Sequence, residues 1–216
     1  MCERRLASAK ERAARSTSIP VTFFKGNLTD SRVLDNHVKP QEARVVSAMF
    51  AVHYAFGTDA NAHSFFESAY RALCPGGVLV GTRVNPTKLK ELIGDGAKWS
   101  NSICLVEGET FSSSVDVEST PCGGLRYLFT LEDSVDKCPE YVVGKETFRQ
   151  KANDTGFQNI KFMPFGDFAK EKVLEFPEMY KAMIRDHRYC TKYGPPEMNC
   201  HQVFEIYDVF FAYKPV

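Results

Sequence analysis

The side chains best suited to chemistry stand together early in the chain, where His53, Tyr54 and Phe56 close a hydrophobic run that begins at Ala43. Val45, Val46, Ala48, Met49 and Phe50 are nearly continuous, the pattern of a strand covered on both faces in a parallel sheet. Ligands in such sheets bind beyond the carboxyl ends of the strands. An imidazole and a phenol at that point therefore read either as the lining of a ligand pocket or as the closure of a core. A second stretch, Pro139-Glu140-Tyr141-Val142-Val143, precedes a run with helical spacing. Glu140 is there either an acid near a helix N-terminus and Lys145, favourable with the dipole, or an acceptor for a ligand's N–H groups. Asn27, just after an apolar run, reads as a turn residue or as a polar contact for a ring edge. Phe50 reads as a buried strand residue or as a face on which a base stacks. Tyr207 sits among Phe204, Ile206, Phe210 and Phe211, whose mixed periodicity leaves it as core or as ligand contact.

The elements that must position these residues follow from periodicity. Residues 1–16 carry Leu6, Ala9 and Ala13 at helical spacing, so a helix is under way from the start. Residues 19–24 read as a short strand ending in the turn Lys25-Gly26-Asn27, and 28–42 as a polar loop or short helix. After the strand at 45–50, Thr58 or Asp59 caps a helix whose buried face is Ala62, Phe65, Phe66, Ala69, Tyr70 and Leu73. Cys74-Pro75-Gly76-Gly77 stops it, and 78–84 is the next buried strand, which completes a crossover unit. The chain then changes character. A short helix at 85–93 leads to strands joined by Ser- and Gly-rich loops, a β-insertion over 99–131 within a single domain spanning 1–216. A helix at 145–152, a strand at 159–163, one or two helices over 169–188, a Gly-Pro-Pro loop at 190–200 and a long aromatic strand at 201–213 finish it.

Composition narrows the function classes. The 216 residues, 44% hydrophobic and 25% charged, suit one globular α/β domain. With 27 basic and 27 acidic residues, no overall field draws the chain to nucleic acid or to a membrane surface, so any nucleic acid must be held locally. The seven cysteines are scattered, without a Cys-x-x-Cys pair or zinc spacing; they read as free thiols, and no metal site is expected. A secretory leader and an apolar run of about 18 residues are both missing from the sequence, so no membrane partner is expected.

Five motifs, in order, resemble the eukaryotic messenger-RNA cap guanine-N7 methyltransferases, a family of class I S-adenosylmethionine enzymes. Met49-Phe50-Ala51-Val52-His53-Tyr54-Ala55-Phe56 is similar to the family's Gln-Phe-x-x-His-Tyr-x-Phe. Pro75-Gly76-Gly77 with Gly81-Thr82 matches its Pro-Gly-Gly turn into a strand ending Gly-Thr, and Trp99-Ser100-Asn101-Ser102-Ile103 its Trp-Gly-Asn-x-Ile. Residues 131–143 resemble Leu-Glu-x-x-Val-Asp-x-x-Pro-Glu-Tyr-Leu-Val, and 207–214 the closing Tyr-x-x-Phe-Ala-Phe-x-Lys strand with one residue more. The family's glycine-rich segment would lie upstream of residue 1, Met49 replaces its Gln, Asn27 its Asp, and the proline of Gly-Thr-x-Pro-Asn is displaced in Gly81-Thr82-Arg83-Val84-Asn85-Pro86.

The resemblance implies a Rossmann-like methyltransferase sheet lacking its first strands, N-terminally truncated relative to the family, with an antiparallel last strand. It implies methyl transfer from S-adenosylmethionine to N7 of the 5′ guanosine cap of mRNA, in the nucleus, with a capping enzyme or activating protein as partner. The alternative is a catalytically inactive cap-binding or stimulatory subunit, or a truncated gene product. His53, Glu140 and Tyr207 would bind the guanine; Asn27, Met49, Phe50 and Tyr54 would bind the cofactor, Tyr54 toward its methionine end. Because of the departures, the isolated chain is expected to bind the cofactor weakly or not at all. Lys25, Arg83, Lys88 and Lys90 would meet the triphosphate or RNA backbone. N7 has a lone pair and no proton to lose, so the chemistry needs no general base and asks for positioning. Positive charge that moves from sulfur to purine favours a site of acids, amides and aromatic faces.

Overall fold

In the computed structural model, residues 7, 9–11, 13, 20–30, 32–33, 36–94, 98–109, 116–132, 134–185 and 198–216 are described. The expected N-terminal helix and the loop after residue 185 lie largely outside them.

Strand β1 (Ala43–Ala48) runs parallel to β2 (Leu73–Val84), with Val45 opposite Val78 and Ala48 opposite Gly81. Between them lie a 3-10 turn (Val52–Gly57) and helix α1 (Asp59–Ala72). Thr58 caps α1 by accepting from the Asn61 N–H at 3.1 Å. The helix then buries Ala62, Phe65, Phe66, Ala69 and Ala72, the face that the 3.6-residue period sets against the sheet. Gly76 takes a φ of +75°, and between the Ala43–Leu73 and Val45–Val78 pairs one residue of β1 faces four of β2, so Pro75-Gly76-Gly77 forms an irregularity inside β2 rather than a turn before it.

Beyond β2 the chain forms helix α2 (Pro86–Ile93), capped by Asn85, and then a separate antiparallel meander. Its strands are β3 (Lys98–Ser100), β4 (Cys104–Gly108), β5 (Leu125–Leu131) and β6 (Val135–Val142). This sheet reaches Val142, further than the 99–131 expected for the insertion. Glu140 therefore sits inside a strand rather than at a helix start. Helix α3 (Lys145–Asp154) and strand β7 (Gln158–Pro164) lead to α4 (Phe165–Glu175) and α5 (Pro177–Arg185); α6 (Met198–Glu205) precedes β8 (Tyr207–Tyr213). The first sheet is ordered β1-β2-β8-β7, with β8 antiparallel to both neighbours as expected.

Three expectations are corrected. Residues 20–27 form no strand; a strand needs a partner, and β1 pairs only with β2 among the described residues. The four strands β1, β2, β8 and β7 thus form one continuous sheet. Next, β1 is not covered on both faces: Val45 is 56% exposed, and among the described strands β1 lies at the sheet's edge. Finally, residues 201–205 are helical. Val203 and Ile206 are buried while Phe204 is exposed, an i, i+3 spacing that the aromatic content of the stretch masked.

The interior forms two clusters. Phe56, Phe66, Phe148, Phe157 and Phe210 pack between the first sheet, α1 and α3. Leu89, Val106, Leu125, Tyr127, Phe129, Val203 and Ile206 pack between the meander, α2 and α6. Each fully buried phenylalanine contributes about 1.5–3 kcal/mol.

Candidate active site

The site begins where β1 ends. Met49 and Phe50 turn the chain, and Phe50 adopts a φ of +51°, a strained conformation for a bulky residue. Its N–H donates to the buried Thr82 hydroxyl at 2.7 Å, which ties the turn to β2. The 3-10 turn that follows presents His53 and Tyr54 toward the second sheet, and their rings meet edge to face at 4.4 Å.

Opposite them stands Glu140. On β5 and β6, Tyr127 and Glu140 are cross-strand partners, so their side chains share one face. The Tyr127 hydroxyl donates to Glu140 Oε2, and the Tyr54 hydroxyl donates to Oε1 at 3.0 Å. The Cys138 thiol approaches the Tyr54 hydroxyl at 3.8 Å. His53 Nε2 comes within 3.3 Å of Glu140 Oε1, but without hydrogen-bond alignment, and neither ring nitrogen of this 2%-exposed histidine has a hydrogen-bond partner. Tyr207, the first residue of β8, is buried, with its ring edge-on to Phe50 at 5.0 Å.

These residues enclose one cavity of about 400 Å³, lined by Phe50, His53, Tyr54, Glu140, Phe204 and Tyr207, with Phe129, Leu131, Ser134, Val135 and Val203 completing the wall. Among the described residues no lysine or arginine lines it. Burial, reinforced by the Glu140 carboxylate, raises the hydroxyls of Tyr54, Tyr127 and Tyr207 above the ordinary tyrosine range, so they stay protonated. The same two causes push the Cys104 thiol up to about 12.

A second cavity of about 250 Å³ lies at the carboxyl end of β1, among Phe24, Asn27, Leu28, Val33, Val46, Ser47, Phe65 and Ser68. Ala48 and Ala51 line this one while Phe50 and His53 line the other, so the same turn borders both cavities.

The expected residues are thus partly brought together. His53, Glu140 and Tyr207, far apart in sequence, meet in the larger cavity, and Phe50 and Tyr54 join them. Tyr54, expected toward the methionine end of a cofactor, spends its hydroxyl on Glu140. Asn27 lies on the smaller cavity, its Oδ1 engaged by Thr29 N at 3.1 Å and Thr29 Oγ1 at 3.0 Å. Met49 is 48% exposed and lines neither.

Arg83, expected to meet phosphates, is instead 1% exposed on β2. It donates from Nε to Val84 O at 3.2 Å, lies 3.9 Å from Asp208 Oδ2 and packs its cation on Phe162 at 5.0 Å. Burial lowers its pKa to about 10. Lys88 pairs with Glu91 at 2.7 Å, and Lys25 is exposed.

The residue that sequence reasoning missed is Tyr127. Its signal was the alternation Leu125, Tyr127, Phe129, Leu131, which turns one face of β5 toward the interior.

Comparison with known proteins sets these features in a family. The model of the mRNA (guanine-N(7))-methyltransferase domain matches residues 1–214. The mRNA cap guanine-N(7) methyltransferase of Saccharomyces cerevisiae is 30% identical over 181 residues, 80% of this chain and 41% of its own length. That of Schizosaccharomyces pombe is 33% identical over 162 residues, 72% of this chain and 44% of its own. The chain spans less than half the length of these curated relatives. Among solved structures, the CcbJ methyltransferase from Streptomyces caelestis superposes with a TM-score of 0.53 at 15% identity, covering 98% of this chain and 71% of that one. An S-adenosylmethionine-dependent methyltransferase from Clostridium acetobutylicum gives 0.52 at 12% identity, with the same coverage. Both share the α/β fold of this chain.

Proposed function

Since the chain belongs to the mRNA (guanine-N(7))-methyltransferase family, we propose that it serves methyl transfer from S-adenosylmethionine to N7 of the guanosine cap of mRNA, its guanine seated in the larger cavity. The observation that carries this is the convergence of His53, Glu140 and Tyr207, from three distant stretches, on one enclosure.

Recognition rests on Glu140. An ionised carboxylate offers about four lone-pair sites, and Tyr54 and Tyr127 occupy two of them. Two remain for the N1–H and N2 amino group of guanine, a pair of donors that adenine does not present. His53, with both ring nitrogens unpaired, supplies a donor for the purine O6. Phe50 and Tyr207 confine the ring, leaving N7 the atom to be methylated.

The lining fits the methyl donor as well. A wall of aromatic faces and a carboxylate, with no basic side chain among the described residues, does not oppose a sulfonium charge, and the turn at residues 49–54 lies between that wall and the Asn27 cavity. S-adenosylmethionine, when bound, supplies the electrophilic methyl. The protein's share is alignment, an effect worth up to about 7–11 kcal/mol, together with stabilisation of the charge that develops on the purine. No side chain has to move a proton. The mRNA cap as partner and a nuclear site of action belong to the same proposal. Among the described residues no group of metal ligands occurs and no helix is long and apolar enough to cross a membrane.

The test is transfer of labelled methyl from S-adenosylmethionine to the cap dinucleotide GpppA. N7-methylated product from the full chain, lost on Glu140→Ala, is the expected result. Cap binding without any transfer would instead establish a binding subunit.

A further inference from the structure

The smaller cavity contains a feature the reaction has not used. Its walls are mostly apolar, from Phe24, Leu28, Val33, Val46 and Phe65; besides Ser47 and Asp30, whose carboxylate is engaged by Arg32, Ser68 of α1 also lines it. Ser68 is 3% exposed, and its hydroxyl has no hydrogen-bond partner. A helical serine ordinarily returns its hydroxyl to the carbonyl one turn back. An unpaired buried hydroxyl costs the fold the hydration it gave up. The cavity lies at the carboxyl end of β1, where ligands of such sheets bind, and Asn27 lies on the same wall.

We propose that Ser68 is a binding residue for the cofactor, its hydroxyl hydrogen-bonding the polar edge of the adenine ring held among these apolar side chains. This rests on the function proposed above. A flat heterocycle with apolar faces and hydrogen-bonding edges matches a slot with apolar walls and a buried hydroxyl. Since Asn27 Oδ1 is occupied by Thr29, its amide N–H groups are left for the same ring. The hydroxyl both donates and accepts, so Ser68 contributes affinity and placement.

The test titrates the full chain with S-adenosylhomocysteine to millimolar concentration, followed by amide NMR shifts, alongside thermal melting without ligand. Ser68→Ala is expected to weaken binding about two- to tenfold while leaving the ligand-free melting temperature unchanged or higher, because it removes a group with no partner. Ser68→Thr, which keeps the hydroxyl, is expected to retain more of the affinity. Equal affinity of wild type and Ser68→Ala overturns the assignment, as does a lower ligand-free melting temperature, which would reveal a partner for the hydroxyl in the free protein. Shifts that bypass residues 24–28 and 65–69 overturn the placement of the adenine but not the cap reading. Failure of wild type to bind either S-adenosylhomocysteine or GpppA overturns both.

Discussion

A carboxylate used for recognition has to be held without being exhausted, and Glu140 meets that condition through two tyrosines rather than through a cation. Both hydroxyls are pushed up by burial first and by the carboxylate second, so they remain donors through the neutral range. Tyr127→Phe removes one charge-assisted hydrogen bond, which is expected to cost about 1.5–3 kcal/mol of folding stability and, by freeing Glu140 from one of its two orienting donors, to weaken cap binding. Steady-state kinetics should show a raised KM for GpppA with kcat nearly kept, because Tyr127 touches the group proposed to recognise guanine and not the atom proposed to react. An equal fall in kcat at saturating cap would mean that the tyrosine aligns N7 as well. At this scale the sequence was informative where the family motif was local: the His53-Tyr54 pair and Glu140 could be named from their neighbours. Tyr127 could not, because its importance arises only from the register that sets it opposite Glu140.

Among the elements, the pairing of β1 with β2 fixes the turn on which His53 and Tyr54 stand. Gly81 makes that pairing close: a Cβ there would collide with the Ala48 carbonyl oxygen and lie 2.8 Å from the Phe210 ring. Gly81→Ala is therefore expected to destabilise the fold by about 1–3 kcal/mol through overpacking, measured by denaturant unfolding, and to weaken cap binding with it. A neutral effect would show that β1 can slide without disturbing the site. The crossover of β1, α1 and β2 was legible because the buried face of α1 has a clean helical period and β2 a run of β-branched residues. The end of the chain was not. Phe204, Ile206, Tyr207, Phe210 and Phe211 look like one aromatic strand, and only the alternation of buried Val203 and Ile206 with exposed Phe204 separates α6 from β8. Arg83 misled for a related reason: a charge beside a strand end suggests a phosphate contact, while the packed Phe148 and Phe162 rings that enclose it come from distant residues.

For the molecule as a whole, three tyrosines cluster around one carboxylate, and that has a consequence for stability against pH. Their folded pKa values lie above the unfolded value of about 10, so above that pH the folded state keeps protons that the unfolded state has lost. Stability is fully present below about pH 10 and falls as pH rises further. Arg83, lowered by burial to about 10, works the other way, but as one group against three. Melting temperatures between about pH 8 and 11 should fall toward the alkaline end, less steeply in Tyr127→Phe. A variant as steep as wild type would mean that Tyr127 does not titrate with folding. The net charge of zero gives the chain no general attraction for RNA, so the proposed affinity for the cap has to come from the cavity, and the proposed specificity for guanine is most open to test. The most direct measurement is calorimetric titration of GpppA and ApppA into the full chain and into Glu140→Gln. GpppA is expected to bind at least about tenfold more tightly than ApppA, with the difference collapsing in Glu140→Gln; equal binding of the two dinucleotides by wild type, or a difference that survives the substitution, would contradict a guanine site built on Glu140.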